Sequence, residues 1–129
     1  MRLLLDTHVF LWSAADPDQL SRAAREAIED TTNDVLVSAA SAWEITVKVA
    51  LGKLAVPGDP ASWFPARVGS LGFHALDITA AHALAVGGLP SLHRDPFDRI
   101  MIAQAQIEGL AFVTRDPDNL KYPVHLIAA

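Results

Sequence analysis

Five short, mostly apolar runs recur along this chain, with segments of helical periodicity between them. Parallel strands need a crossover, usually a helix, so this alternation is the pattern of an α/β protein with a mainly parallel sheet. The runs are residues 2–5, 34–38, 74–78, 110–114 and 124–127. Continuous apolar runs of this length suit strands buried on both faces. Pro123 places the last run at a strand start or a sheet edge. Helices are expected over residues 21–30, 41–51, 60–68, 79–86 and 95–108, with a loop over 87–94. The last helix has the clearest punctuation: Asp95 as N-cap, Pro96 at the first helical position and Gly109 beyond the end. No repeat or linker divides the 129 residues, so one domain spanning 1–129 is expected.

Topology directs attention to the acids. In an open parallel sheet, ligands bind beyond the carboxyl ends of the strands. Asp6 directly follows the first run, and Asp116 lies three residues after Val113. Crossover helices run antiparallel to the strands, so their N-termini return to that same edge. Asp98 falls in the first turn of its helix, and Glu44 within the first turn or so of the helix after Ser38. All four acids are therefore directed to one edge. Two carboxylates about 4 Å apart repel by roughly 4 kcal/mol at an effective dielectric of 20, and a divalent cation relieves the conflict. An all-oxygen set without clustered His or Cys favours Mg²⁺, or Mn²⁺ as a substitute, over zinc. Such a layout serves phosphodiester hydrolysis.

Each acid also has a plainer explanation. Asp6 could cap a helix starting near His8, and Asp98 could complete a capping-box-like start with Asp95. Glu44 and Lys48 could form an exposed i, i+4 salt bridge, although Trp43, Ile45, Val47 and Val49 place Glu44 near an apolar face. Asp116-Pro117-Asp118 could be an ordinary turn. Only the joint pattern favours a site. The five histidines show no metal-site spacing, but His93 stands out because it precedes the acidic helix start. Trp43, Trp63 and the phenylalanines read as core rather than base-stacking platforms. Arg94, Arg99, Arg115, Lys48 and Lys53 lie close to the acids in sequence; they could hold phosphates or balance the acids as salt bridges.

Composition bounds the rest. Without cysteine, disulfides and thiolate-bound zinc are excluded, in keeping with a reducing compartment. No apolar stretch is long enough for a secretory signal or a membrane helix, so a cytoplasmic protein with no membrane partner is expected. The 51% hydrophobic content hints at apolar surface covered by a partner. A net charge of −5 lowers the prior for nucleic-acid binding. Carboxylates with a cation to hold would account for that balance.

Four stretches occur in register: Leu3-Leu4-Leu5-Asp6-Thr7-His8; Ser41-Ala42-Trp43-Glu44-Ile45 with Lys48 and Gly52-Lys53-Leu54; His93-Arg94-Asp95-Pro96-Phe97-Asp98-Arg99 with Ile102-Ala103-Gln104-Ala105; and Thr114-Arg115-Asp116. In these stretches, which span nearly the whole chain, the sequence resembles the PIN-domain family, specifically VapC-like toxins of type II toxin–antitoxin systems. The resemblance implies a three-layer α/β/α fold around a mainly parallel sheet of about five strands. It implies Mg²⁺-dependent endonucleolytic cleavage of RNA, with Asp6, Glu44, Asp98 and Asp116 as the catalytic and metal-holding acids. Asp6 and Asp98 would be the foremost ligands, Asp116 would complete or tune the site, and Thr114 would orient a carboxylate or a water. Asp95 remains the helix cap. The resemblance also implies a homodimer and a cognate antitoxin that lays an apolar segment across surface helices and can push a basic side chain toward the acidic pocket. Trp12, Leu20, Trp63 and Phe64 are candidate contacts for it, or core residues.

Two rival functions follow from the same residues. A small phosphatase would use Asp6 as nucleophile, but such enzymes resemble Asp-x-Asp and position 8 is His. A regulatory binding module would keep the fold without the chemistry.

Overall fold

The computed structural model describes residues 1–129. It contains five strands, β1 (Arg2–Leu5), β2 (Asp34–Ser38), β3 (His74–Leu76), β4 (Ala111–Thr114) and β5 (Leu126–Ala128). Six α-helices accompany them: α1 (Thr7–Ala15), α2 (Arg22–Glu29), α3 (Ala39–Ala50), α4 (Pro60–Ser70), α5 (Ala80–Ala85) and α6 (Pro96–Glu108). The sheet order is β3-β2-β1-β4-β5, and every pairing is parallel. The chain builds outward from β1 to β3, crosses back, and builds outward again from β4. The order therefore reverses between β1 and β4, which opens the crevice where ligands of such sheets bind.

Strand alternation sorts the core into two layers. Leu3, Leu5, Val35, Val37, Ala111 and Val113 face Val9, Phe10, Ala24, Ile45 and Val68 of α1–α4. Leu4, Leu36 and Phe112 face the opposite way, onto Met101, Ile102 and Ala105 of α6. The sheet thus lies between two helical layers, the architecture the family resemblance implies. Leu3, Leu4 and Leu5 are all fully buried, which only a strand covered on both faces can achieve.

Several boundaries differ from the sequence reading. Helix α3 begins at Ala39 rather than at 41, because Ser38 ends β2 and its hydroxyl caps the next turn by accepting from Ala40 N–H. Strand β3 stops at Leu76, and β5 covers Leu126–Ala128 instead of 124–127. The last strand is placed by pairing from Phe112↔Leu126 to Thr114↔Ala128 and by Ser21, whose hydroxyl donates to Ala128 O and whose N–H donates to Ala129 O. Helix α4 runs on to Ser70 despite Pro65. The expected loop over 87–94 opens with a 3₁₀ turn, Val86–Gly88. No helix is long and apolar enough to cross a membrane.

Candidate metal centre

Asp6 leaves β1 at the reversal point and serves two purposes at once. One carboxylate oxygen, Oδ1, accepts from Val9 N–H at 2.9 Å and caps α1. The other, Oδ2, accepts from Thr114 Oγ1 at 2.5 Å, across from β1 to β4. Burial pushes its pKa up, opposed by Thr114, the Val9 N–H and His8, while Glu44 adds to the rise. The capping reading and the clustering reading both hold for this residue.

Asp98 sits in the first turn of α6, where Asp95 caps the helix by accepting from Phe97 and Asp98 N–H. Burial, then the negative charge of Asp95, and further that of Asp6 and Glu44, push Asp98 up to about 7; Asn119 pulls the other way. A carboxyl pushed so far, by burial first and by neighbouring acids second, marks a candidate functional site.

Glu44 lies in the second turn of α3 and is nearly fully buried. Its Oε1 accepts from Thr7 Oγ1 at 2.7 Å, and Thr7 also meets Ser41 Oγ at 2.9 Å. Its Oε2 pairs with Lys48 at 2.5 Å. The expected i, i+4 pair exists but is not an exposed one, since the Glu44 side chain is 4% accessible against 33% for Lys48. Lys48 also feels Asp95 and Asp98; although burial opposes its charge, these acids and Glu44 raise its pKa.

Asp116 follows β4, and Asp118 N–H closes the expected turn on its Oδ1. Its Oδ2 lies 2.9 Å from His93 Nε2, which is also 3.1 Å from Asp98 Oδ2. Burial works against the Asp116 charge, but His93 and the backbone N–H groups of Asp118 and Asn119 outweigh it and lower the pKa. His93 is raised in return: burial disfavours its charge, but Asp116, Asp98 and Asp95 prevail. Its Nδ1 accepts from Asp95 N–H at 3.1 Å. The neutral ring therefore carries its proton on Nε2 and donates it to the acids. His93, Asp98 and Asp116 present ligand atoms within 4.8 Å of one another.

Asp6, Glu44, Asp98 and Asp116 line a cavity of about 380 Å³, together with His8, Trp12, Lys48, Asp95, Arg115 and Pro117. All four acids singled out in the sequence are on its wall. A larger cavity of about 500 Å³ lies at the amino end of the sheet, where Val35 and Phe73 line it with Leu20, Ile28 and Leu71. It gathers no comparable set of converging acids, and chemistry points to the smaller one.

The basic residues divide. Arg99 donates to the carbonyls of Val86, Pro90 and His93 and to the Tyr122 hydroxyl, so it ties down the loop before α6. Arg115 lies 4.3 Å above the Trp12 ring and donates to the carbonyls of Ala129 and Gln19. Arg94 and Lys53 are exposed and take part in none of the ion pairs. Trp63 and Phe64 pack on Phe10, as expected for core aromatics. Trp43 does not: it is 55% exposed and stacks edge-on with Phe97 at 4.7 Å. An apolar neighbourhood in sequence does not distinguish the inner from the outer face of α3 at that position.

The sequence singles out His93 without giving it a role, includes Thr7 and Ser41 only within the stretches that carry the family resemblance, and gives no sign of Asn119. The contacts of Ser41 and Asn119 arise from tertiary packing alone.

Fold and pocket together define a class: an α/β protein with a carboxylate-lined crevice at the reversal point of a parallel sheet. Residues 3–124 match the PIN domain, and the chain belongs to the PIN-domain family. Its curated relatives are VapC ribonucleases of Mycobacterium tuberculosis. Ribonuclease VapC22 is 32% identical over 115 residues, covering 88% of this chain and 86% of that protein. Ribonuclease VapC16 is 43% identical over 69 residues, 54% of this chain, and the match spans 47% of that protein, less than half its length. Among solved structures, VapBC2 from Rickettsia felis bound to a DNA fragment from its promoter shares the fold, with a TM-score of 0.71 over 99% of this chain and 98% of that one at 15% identity.

Proposed function

We propose that this protein is a divalent-cation-dependent endoribonuclease, the toxin of a type II toxin–antitoxin pair, acting through Asp6, Glu44, Asp98 and Asp116. The observation that carries the reading is the meeting of these four carboxylates in one pocket of a PIN-family chain. The donor set fits a hard cation. Burial first, and then the charges of Asp95, Asp6 and Glu44, push Asp98 up to about 7, and a divalent charge offsets the repulsion among these acids. His93, with its proton on Nε2, is a hydrogen-bond donor rather than a ligand, which leaves an all-oxygen set suited to Mg²⁺ with Mn²⁺ as substitute.

Asp6 and Asp98 would hold the cation from the two sides of the crevice, and Asp116 would complete the set under the direction of His93. Thr7 and Lys48 fix both oxygens of Glu44. When bound, Mg²⁺ supplies positive charge to the phosphate and lowers the pKa of the attacking water. A carboxylate of the pocket that the cation did not engage would assist proton transfer from that water. Arg94 and Lys53, exposed and not part of the pocket lining, would be available to RNA phosphates. The phosphatase reading needs Asp-x-Asp at the end of β1, and position 8 is His.

The partners follow from the apolar surface. An antitoxin segment would seat apolar side chains in the larger cavity, against Leu20, Leu71 and Phe73. A homodimer would cover exposed Trp43 and Leu51 of the α3 region and Leu84 of α5.

The test is to map the ends of cellular RNA exposed to the wild type and to Asp6→Ala, with Mg²⁺ and with chelator. New ends should appear only for the wild type with Mg²⁺. Full cleavage in chelator would overturn the mechanism.

A further inference from the structure

Two buried side chains connect the cluster from behind. Thr114 and Asn119 are fully buried, and neither lines the cavity. Thr114 Oγ1 accepts from Asp116 N–H at 3.2 Å and from Asn119 Nδ2 at 3.2 Å. With both lone pairs taken, its single proton can only be donated outward, and it lies on Asp6 Oδ2. Asn119 thereby sets the direction of the hydrogen bond that Asp6 receives.

Asn119 Oδ1 is the one buried side-chain polar atom with no hydrogen-bond partner. A buried acceptor without a partner is costly, and an apolar residue of similar size would avoid the penalty. Reversing the amide offers no escape. It would put Oδ1 against Thr114 Oγ1 and let Thr114 donate to Asn119 instead of Asp6. The orientation with the orphaned oxygen is the one that keeps the Thr114 proton on Asp6.

We propose that Asn119 is a positioning residue of the cation site, acting through Thr114 on Asp6. The inference rests on the reading of Asp6 and Asp98 as cation-holding groups. Supporting hydrogen bonds behind metal ligands typically govern affinity by 10–100-fold, so the effect should be visible in binding itself, without RNA.

The experiment is Mn²⁺ titration calorimetry on the full chain for the wild type, Asn119→Leu, Thr114→Val and the double variant. Asn119→Leu should weaken Mn²⁺ binding roughly tenfold or more, and the double variant should bind no worse than the weaker single one. Asn119→Leu binding within about twofold of the wild type, or independent losses that multiply in the double variant, would overturn the inference. A wild type that binds no Mn²⁺ would contradict the cation reading and the Asn119 role with it. Should the variants fail to fold, the wild type still decides. Its Asn119 side-chain amide ¹H–¹⁵N signals should exchange slowly with water and move when Mg²⁺ is added, and signals indifferent to Mg²⁺ would refute the role.

Discussion

Asp98 bears burial first and then the negative charges of Asp95, Asp6 and Glu44. Its pKa of about 7 means that the folded protein binds a proton there through a range in which the unfolded chain, with an ordinary carboxyl, has released it. Between those two values stability falls as pH rises, and above them the loss is complete. The shift corresponds to a few kcal/mol in order of magnitude. Asp98→Asn should therefore abolish RNA cleavage while raising the chelated protein's melting temperature at pH 8, read by cleavage assay and thermal denaturation. A lower melting temperature would show that Asp98 is a stabilising residue and not a strained one. Asp6→Ala should behave differently, losing about 1 kcal/mol from the α1 cap along with activity. Lys48→Met leaves Glu44 without its cation. Because Lys48 is a third exposed, screening reduces the cost to about 1 kcal/mol rather than the 3–5 of a fully buried pair, measurable by urea denaturation at neutral pH.

At the scale of elements, function depends on where strands end and helices begin. Asp95 and Pro96 start α6 so that Asp98 faces the crevice, and Gly109 stops it in a left-handed turn at φ 65°. Gly109→Ala should cost about 1–2 kcal/mol in urea unfolding, from backbone strain alone. The start and stop of α6 were legible because caps, Pro and Gly act locally. So was the strand identity of residues 2–5, whose run of leucines suits only a sheet covered on both faces. The onset of α3 was misplaced by two residues because Ser38 both ends a strand and caps a helix, leaving no loop to betray the junction. The limits of β3 and β5 depend on partners far away in sequence, which no local pattern encodes. For the site, the four acids could be read from topology. The Thr114–Asn119 and Thr7–Ser41 contacts could not, since they depend on side-chain packing between elements.

Across the whole molecule, the reversal between β1 and β4 makes one crevice the meeting place of five elements, and it concentrates negative charge in a chain already at −5. Raised Asp6, His93 and Asp98 all favour the proton-bound folded state, so stability without divalent ions should decline as pH rises from about 4 toward 7 and beyond. Lowered Asp30 and Asp116 act in the opposite sense, and their contribution is lost as pH falls below the ordinary carboxylate range. Mn²⁺ or Mg²⁺ at a hundred times its dissociation constant should restore about 2.7 kcal/mol at pH 8, seen as a rise in melting temperature that the Asp98→Asn variant lacks. The most direct test of the cation site is anomalous diffraction from crystals grown with Mn²⁺. A manganese peak in the pocket between Asp6 and Asp98, missing in Asp98→Asn, is the predicted result. An empty pocket at saturating Mn²⁺, or manganese bound only at another surface, would contradict it.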